Sequence, residues 1–290
     1  MNDQPQISHP DSANSAAVPA FAEPGVPQIR TLNVPAMQAL YVKEVRRFFK
    51  VQLQTIWAPA VTTLLFLVIF TVALGGAGRK VIGVPFADFV APGLIMMAML
   101  QNSFANSSFS LLVGKIQGTI VDYLMPPLAV GELIIALIGA AITRAVLVGL
   151  ALWVAMLLWP GVHVSPDHLW AVALFGLVGA MMLSFLGLIT SIWAEKFDHA
   201  AAVTNFVVTP LALLSGTFYS VDRLAPWFQG VAHANPVYYA IMGFRYGFIG
   251  TVDSTIAHPV LTAAVTLLAV NAALGVLTYR LLASGWKLKA

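Results

Sequence analysis

Residues 133–159 read "LIIALIGAAITRAVLVGLALWVAMLLW", an apolar run broken by one cation, Arg144. A helix crossing a bilayer needs about 20 largely apolar residues. This stretch therefore reads as a membrane span, and the rest of the chain follows from it. Six such runs occur: Trp57–Leu74, Phe89–Val113, Leu133–Trp159, Leu169–Trp193, Ala201–Gly216 and Pro259–Leu282. The fifth is short and contains Pro210, so a kinked or broken helix is expected there. Composition agrees: 59% of residues are hydrophobic, 9% are charged, and the mean hydropathy is +0.84. A soluble domain carries about 25% charged residues, so lipid must replace water around this chain. The class is an all-α membrane protein.

The formal charge of +3 is too small to argue for a nucleic-acid partner. The absence of cysteine excludes disulfides, thiolate zinc sites and iron–sulfur clusters. Residues 1–33 are rich in Pro, Ala, Ser and Asn without an apolar run, which reads as a disordered tail. That tail lacks the apolar core of a signal peptide.

Ahead of the first span lies "AMQALYVKEVRRFFKVQ", residues 36–52. Lys43, Arg46, Arg47 and Lys50 fall on one helical face, and Met37, Tyr41, Val45 and Phe48 on the opposite one. This is the pattern of an interfacial amphipathic helix, its basic side toward anionic headgroups. Orientation follows from the basic residues. With six spans, ten of the fifteen lie on the side of both termini, four on the other, and Arg144 lies inside. The termini and the tail are therefore expected in the cytoplasm. The loop between spans two and three, "GKIQGTIVDYLMPPLAVGE" (114–132), then also faces the cytoplasm.

Gln117–Met125 in that loop is expected to form two helical turns. Ile116, Ile120, Tyr123 and Leu124 would share one side, and Pro126–Pro127 would stop the helix. A smaller loop, "WAEKFDHA" (193–200), is a second candidate contact on the same side. On the other side, "SGTFYSVDRLAPWFQGVAHANPVYYAIMGFRYGFIG" (215–250) is long and aromatic. Pro226 suits a first helical turn, and Asn235–Pro236 reads as a break between two short helices. Phe218, Tyr219, Trp227, Phe228, Tyr238 and Tyr239 suit the headgroup level. The expectation is a re-entrant extracytoplasmic helical hairpin.

These residues resemble the type-2 ABC export permeases. In that family a Pro-containing span ends in Ser-Gly, and an aromatic segment, Asn-Pro, an aromatic and an Arg follow. Pro210, Ser215, Gly216, Phe218, Tyr219, Asn235, Pro236, Tyr238, Tyr239 and Arg245 stand at those places. Gly118, Thr119, Asp122, Leu124 and Pro127 resemble the family's Gly-Thr-x-x-acidic loop, with Val121 where several branches carry an acid. The resemblance covers about residues 35–285, which gives a transmembrane domain over 34–285. It implies a bacterial inner-membrane exporter of glycans, lipids or drugs, working as a homodimer with separate ABC ATPase subunits. The sequence has no G-x-x-x-x-G-K-[ST] phosphate loop. ATP and Mg would sit on that partner, with no cofactor, metal or catalytic residue on this chain. By the resemblance, Gly118, Thr119, Ile120, Asp122, Tyr123, Leu124, Pro126 and Pro127 form the ATPase-coupling helix.

Polar groups inside spans remain open. Ser103, Asn106, Ser107 and Ser110 form a stripe on span two that either joins helices or lines a substrate route. Arg144 lies near the midplane, where a charge costs at least about 2.5 kcal/mol. It either holds helices together, reaches cavity water, or binds an anionic substrate. Gly176, Ala180 and Ser184 mark a small-residue packing face on span four. His163 and His168 lack a third metal ligand. The rival class is an ATP-independent secondary transporter or channel, which would show inverted repeats and ionisable residues along its path. A partner-recruiting scaffold is a third reading.

Overall fold

Helices form where the apolar runs lie, and the polar interruptions decide how they end. The computed structural model describes residues 32–73, 80–159, 161–252, 254 and 256–288. The expected tail up to residue 31, with Arg30, and also Leu74, Arg79 and Lys289 lie outside the described residues. The order is α1 (Val34–Phe49), α2 (Ala58–Ala73), α3 (Phe86–Ile116), α4 (Val121–Leu124), α5 (Val130–Leu157) and α6 (Leu169–Trp193). There follow α7 (Phe197–Val203), α8 (Thr209–Leu214), α9 (Pro226–Ala234), α10 (Pro236–Ile249) and α11 (Pro259–Ser284). A small antiparallel hairpin, β1 (Lys80–Val81) with β2 (Val84–Pro85), leads into α3. Sequence reading did not anticipate it.

Among the described residues five helical stretches are long and apolar enough to span: Leu53–Phe70, Val130–Leu157, Leu169–Trp193, Phe197–Leu214 and Pro259–Ser284. The 31-residue α3 falls outside that set, because Gln101, Asn102, Ser103, Asn106, Ser107, Ser108 and Ser110 interrupt its apolar run. At about 1.5 Å per residue it is nonetheless about 46 Å long. The fifth span is corrected in two ways. It starts at Phe197, not Ala201, which takes Phe197–Ala200 out of the expected 193–200 loop. It also runs unbroken to Leu214. Pro210 is absorbed by a π-helical turn at Thr204–Val208 just before it, and Pro59 by a similar turn at Leu53–Trp57. Proline has no N–H for the carbonyl four residues back, and a wider turn accommodates that loss.

The core forms around α3, which packs against α2, α5, α6 and α10. Its closest neighbour is α6: a Cβ on Gly187 would stand 2.5 Å from the Phe104 carbonyl oxygen. Ser103 Oγ donates to the Ala180 carbonyl at 2.6 Å and lies 2.5 Å from Ser184 Oγ. The small residues of α6 therefore bring polar groups of α3 within bonding distance. α1 lies against α5, where the Tyr41 hydroxyl stands 2.8 Å from Thr143 Oγ1, and it buries Leu40, Glu44 and Phe48. Lys43, Arg46 and Lys50 are exposed as expected, but Arg47 is not part of that outer face. It turns back onto α3, because Glu44 and the α3 carbonyls supply its acceptors.

One cation closes the end of α6. The Lys115 ammonium donates to the carbonyls of Ser191 (3.2 Å), Ile192 (2.7 Å) and Ala194 (2.5 Å). A cation at a helix C-terminus meets unpaired carbonyls and the negative end of the dipole. Burial lowers this ammonium from the usual lysine value, and the Glu195 charge opposes that shift. Lys115→Met should destabilise the fold by about 1–3 kcal/mol, seen as a lower melting midpoint in detergent. An unchanged midpoint would show that the cap contributes nothing.

Candidate functional site

From Gln117 to Met125, the segment joining α3 to α5 is held inward by two side chains and leaves the others outward. α3 ends at Ile116, and Gly118 reverses the chain at a φ of +72°, where a Cβ would be strained. The helical part is one turn, Val121–Leu124, in place of the two expected over Gln117–Met125. The glycine break puts Ile116 on the axis of α3, so the expected shared face divides. Ile120 and Tyr123 are buried at 7% exposure, while Leu124 stands 44% exposed and Ile116 41%. Thr119, Val121, Asp122 and Met125 also face outward.

Behind this turn lies a buried carboxylate that sequence reading missed. Glu44 of α1 is fully buried. Its Oε1 accepts from the Tyr123 hydroxyl at 3.0 Å, and its Oε2 accepts from Ser110 Oγ at 3.0 Å and pairs with Arg47 at 2.8 Å. Burial, reinforced by the Glu44 charge, pushes the Tyr123 hydroxyl well above the usual tyrosine range, so it stays a donor. The Lys43 ammonium sits 3.8 Å from the centre of the Tyr123 ring. The only sequence signal for Glu44 is its place between Leu40 and Phe48, four residues from each on the inward face.

The exit of the turn is also tied to α1. Asn33 caps α1 through its side-chain oxygen and donates its amide nitrogen to the Pro127 carbonyl at 3.1 Å. Glu132 accepts from the backbone nitrogens of Asn33 and Ala129, joining the starts of α1 and α5. Pro126 and Pro127 thus enter a chain reversal fixed on both sides. A groove of about 1010 Å³ runs between α1 and the turn, with Lys43, Arg46, Arg47, Thr119 and Asp122 among its walls.

The expected stripe on α3 is wholly buried: Ser103, Asn106, Ser107 and Ser110 are at most 1% exposed. It does not act as one surface. Ser103 joins α6, while Asn106 and Ser110 receive Arg47 at 3.0 Å (Asn106 backbone oxygen) and 3.1 Å (Ser110 Oγ). Arg144 donates to Asn102 Oδ1 at 2.9 Å, a partner the sequence reading did not name.

At the opposite end, the signature residues close the end of the 197–214 helix. α8 stops at Leu214, and its carbonyls meet side chains from the segment that follows. Asn235 Nδ2 donates to the Leu211 carbonyl at 2.6 Å while its oxygen caps α10 at the Val237 nitrogen. Arg245 donates to the carbonyls of Gly216 (2.8 Å), Thr217 (3.1 Å) and Phe89 (3.1 Å), with its guanidinium 3.9 Å from the Phe89 ring centre. Gly93 leaves room for it: a Cβ there would lie 2.8 Å from the guanidinium. Ser215 and Thr217 hydroxyls both donate to the Ala212 carbonyl. Phe218 stacks on Phe70 of α2 at 4.3 Å. Tyr219 bonds the Leu213 carbonyl, Tyr238 is buried beside Tyr239, and Trp227 is 72% exposed. The helix break at Asn235–Pro236 stands where expected, between α9 and α10.

Residues 35–249 match the ABC-2 type transporter family. The chain belongs to that family. It is a transmembrane transport permease. It is 35% identical over 219 residues to the inner membrane transport permease YadH of Escherichia coli K12, covering 75% of this chain and 84% of that one. It is 26% identical over 196 residues to nodulation protein J of Neorhizobium galegae, covering 65% of this chain and 68% of that one. With its apolar helices, this similarity supports a multi-pass protein of the bacterial inner membrane, and the family implies an ABC ATPase partner.

The permease's buried carboxylate gives a direct test. Glu44→Leu leaves the Tyr123 hydroxyl without its acceptor and takes the carboxylate from Arg47, and should cost about 1–3 kcal/mol. Glu44→Gln keeps an acceptor and should cost less. A double-mutant cycle with Tyr123→Phe should return a coupling energy of about 0.5–3 kcal/mol. Strict additivity in thermal or denaturant unfolding would mean that the two groups do not interact.

Proposed function

We propose that this permease is the membrane subunit of an ATP-driven exporter and works as a homodimer with two ATPase subunits. The turn at Gly118–Pro127 takes up the ATPase's motion. The observation that carries this reading is the division of that turn. Ile120 and Tyr123 anchor it to α1 and α3, while Val121 (48% exposed), Asp122, Leu124 (44%) and Met125 (79%) stand free on one outward surface. An exposed apolar and acidic patch on a firmly held turn suits a docking contact that transmits displacement. A floppy loop would absorb it.

In this reading α3 completes six spans, its polar groups sheltered by α6 and α1 in place of lipid. Both termini and the turn lie in the cytoplasm, and ATP with Mg binds on the partner. α9 and α10 form the re-entrant hairpin on the outer side. Nucleotide-driven closure of the ATPases pushes the turn, and α1, α3 and α5 move with it. A route opens where α2, α3 and the 197–214 helix of two copies meet, with Phe218, Tyr219, Trp227 and Tyr239 near its outer mouth. The cargo is a glycan, lipid or amphipathic drug.

Asp122→Arg and Leu124→Glu lie on the exposed surface and should leave the permease folded. With the partner ATPase, both should lower substrate-coupled ATP hydrolysis about tenfold or weaken complex assembly; normal assembly and coupling in both would sink the assignment. Orientation has its own check. A reporter joined after Ala290 should be active in the cytoplasm, and activity outside it would reverse the topology.

A further inference from the structure

Amides and hydroxyls inside a membrane seek partners, and one cleft of this bundle holds several that have none. Between α3 and α2, with the π-helical turn that leads into α2, a space of about 280 Å³ is lined by the polar Gln54, Thr62, Thr63, Gln101 and Asn102. Gln101 stands midway along α3, and Thr63 is only 8% exposed. Among the described residues, the side chains of Gln54, Thr63 and Gln101 have no hydrogen-bond partner. The other two polar residues are engaged. The Thr62 hydroxyl donates to the Ala58 carbonyl at 2.9 Å, which leaves its oxygen able to accept. Asn102 donates its amide nitrogen to the Ala98 carbonyl at 3.0 Å, and its oxygen accepts from Arg144 at 2.9 Å. Arg144 itself is not among the walls, and no Asp, Glu, Lys or Arg of the described residues lines the cleft.

This neutrality limits what the cleft can hold. Gln54, Ala58, Thr62 and Phe66 follow one another at one-turn spacing, so the cleft runs about 18 Å along that helix at about 1.5 Å per residue. Phe66 and Leu94 give it apolar walls deeper in the bundle. At about 30 Å³ per water, its volume is that of roughly nine waters, the scale of a sugar ring and not of a long oligosaccharide. Amide and hydroxyl side chains both donate and accept. A set of hydroxyls, each of which also donates and accepts, satisfies such a lining with no charge to neutralise. A phosphate or an ammonium group would lose its hydration there with no counter-charge, at a far larger cost than a hydroxyl.

We propose that this cleft recognises the uncharged, polyhydroxyl headgroup of an amphiphile, read by Gln54, Thr63 and Gln101. The inference rests on the transport reading above and narrows its cargo to a neutral glycosyl-type group on an apolar tail. Gln101 and Thr63 meet the headgroup at depth, the Thr62 oxygen accepts from it, and Gln54 meets it at the exposed end. Polar groups converging in an otherwise apolar cleft are the usual form of a ligand site. A gap that merely separated α2 from α3 would not need three unpaired polar side chains on its walls.

The test uses the full purified chain in lipid nanodiscs, without ATPase or nucleotide, so its failure is separate from a failure of coupling. The probe is octyl glucoside carrying a photoreactive diazirine on the sugar, and labelled peptides are mapped by mass spectrometry. Labelling should fall within residues 54–66 and 94–102. Plain octyl glucoside should compete at concentrations at least tenfold lower than octyl phosphate or octyltrimethylammonium, which share its tail. Gln101→Leu and Thr63→Val should each cut labelling severalfold, and Gln101→Asn should retain part of it. Thr262→Val, near the start of α11, should leave it intact. If Gln101→Leu does not fold, Gln54→Leu at the exposed end of the cleft carries the same expectation. Equal competition by the three headgroups would show that only the tail is recognised and would overturn the proposal, as would labelling unchanged in the folded variants. Loss of labelling together with loss of a chemically cross-linked dimer would assign these polar groups to a second copy, and would overturn it too.

Discussion

A helix that ends within or beside hydrocarbon leaves carbonyl oxygens that water cannot reach, and the whole fold depends on how they are satisfied. This chain answers with cations and amides brought from elsewhere in the sequence. Lys115, at the end of α3, closes α6; Asn235, the cap of α10, closes α8, and Arg245 of α10 holds the Gly216 and Thr217 carbonyls just past its end. Each of these contacts joins two elements as well as satisfying a group. The polar residues that lower the apolarity of the chain are thus the ones that set helix against helix.

The same economy governs the other end of the bundle. Glu44 would be costly to bury alone, and three donors from three places in the sequence surround it. Because one of them is Tyr123, the turn between α3 and α5 cannot shift without disturbing α1 and α3 together. Asn33 and Glu132 tie the far side of the turn to the same helix. α1, expected only to lie among headgroups, is therefore a strut beneath the turn.

Much of this was legible. Apolar runs predicted where the long helices lie, and Asn235–Pro236 marked a real break, because proline and hydropathy act locally. Partners at long range were not legible. Periodicity placed Arg47 with Lys43, Arg46 and Lys50, but an acceptor set on α3 draws it inward. It also grouped Ile116 with Ile120, whereas the positive φ at Gly118 separates them. Pro210 announced a disturbance in its helix; that a π-helical turn would absorb it without a break depends on packing that composition does not record.

The amino-acid sequence by itself determined that the chain lives in lipid, which segments become helices, and the family to which it belongs. These follow from transfer energy, local backbone chemistry and a pattern of residues at set spacing. Only the tertiary structure decided that the polar stripe of α3 is divided among three partners, that Glu44 is buried beneath the turn, and that Arg144 faces Asn102 beside a polar cavity. Hydrogen bonds between residues some 40 to 80 positions apart exist only once the helices are packed, and no local spacing encodes them.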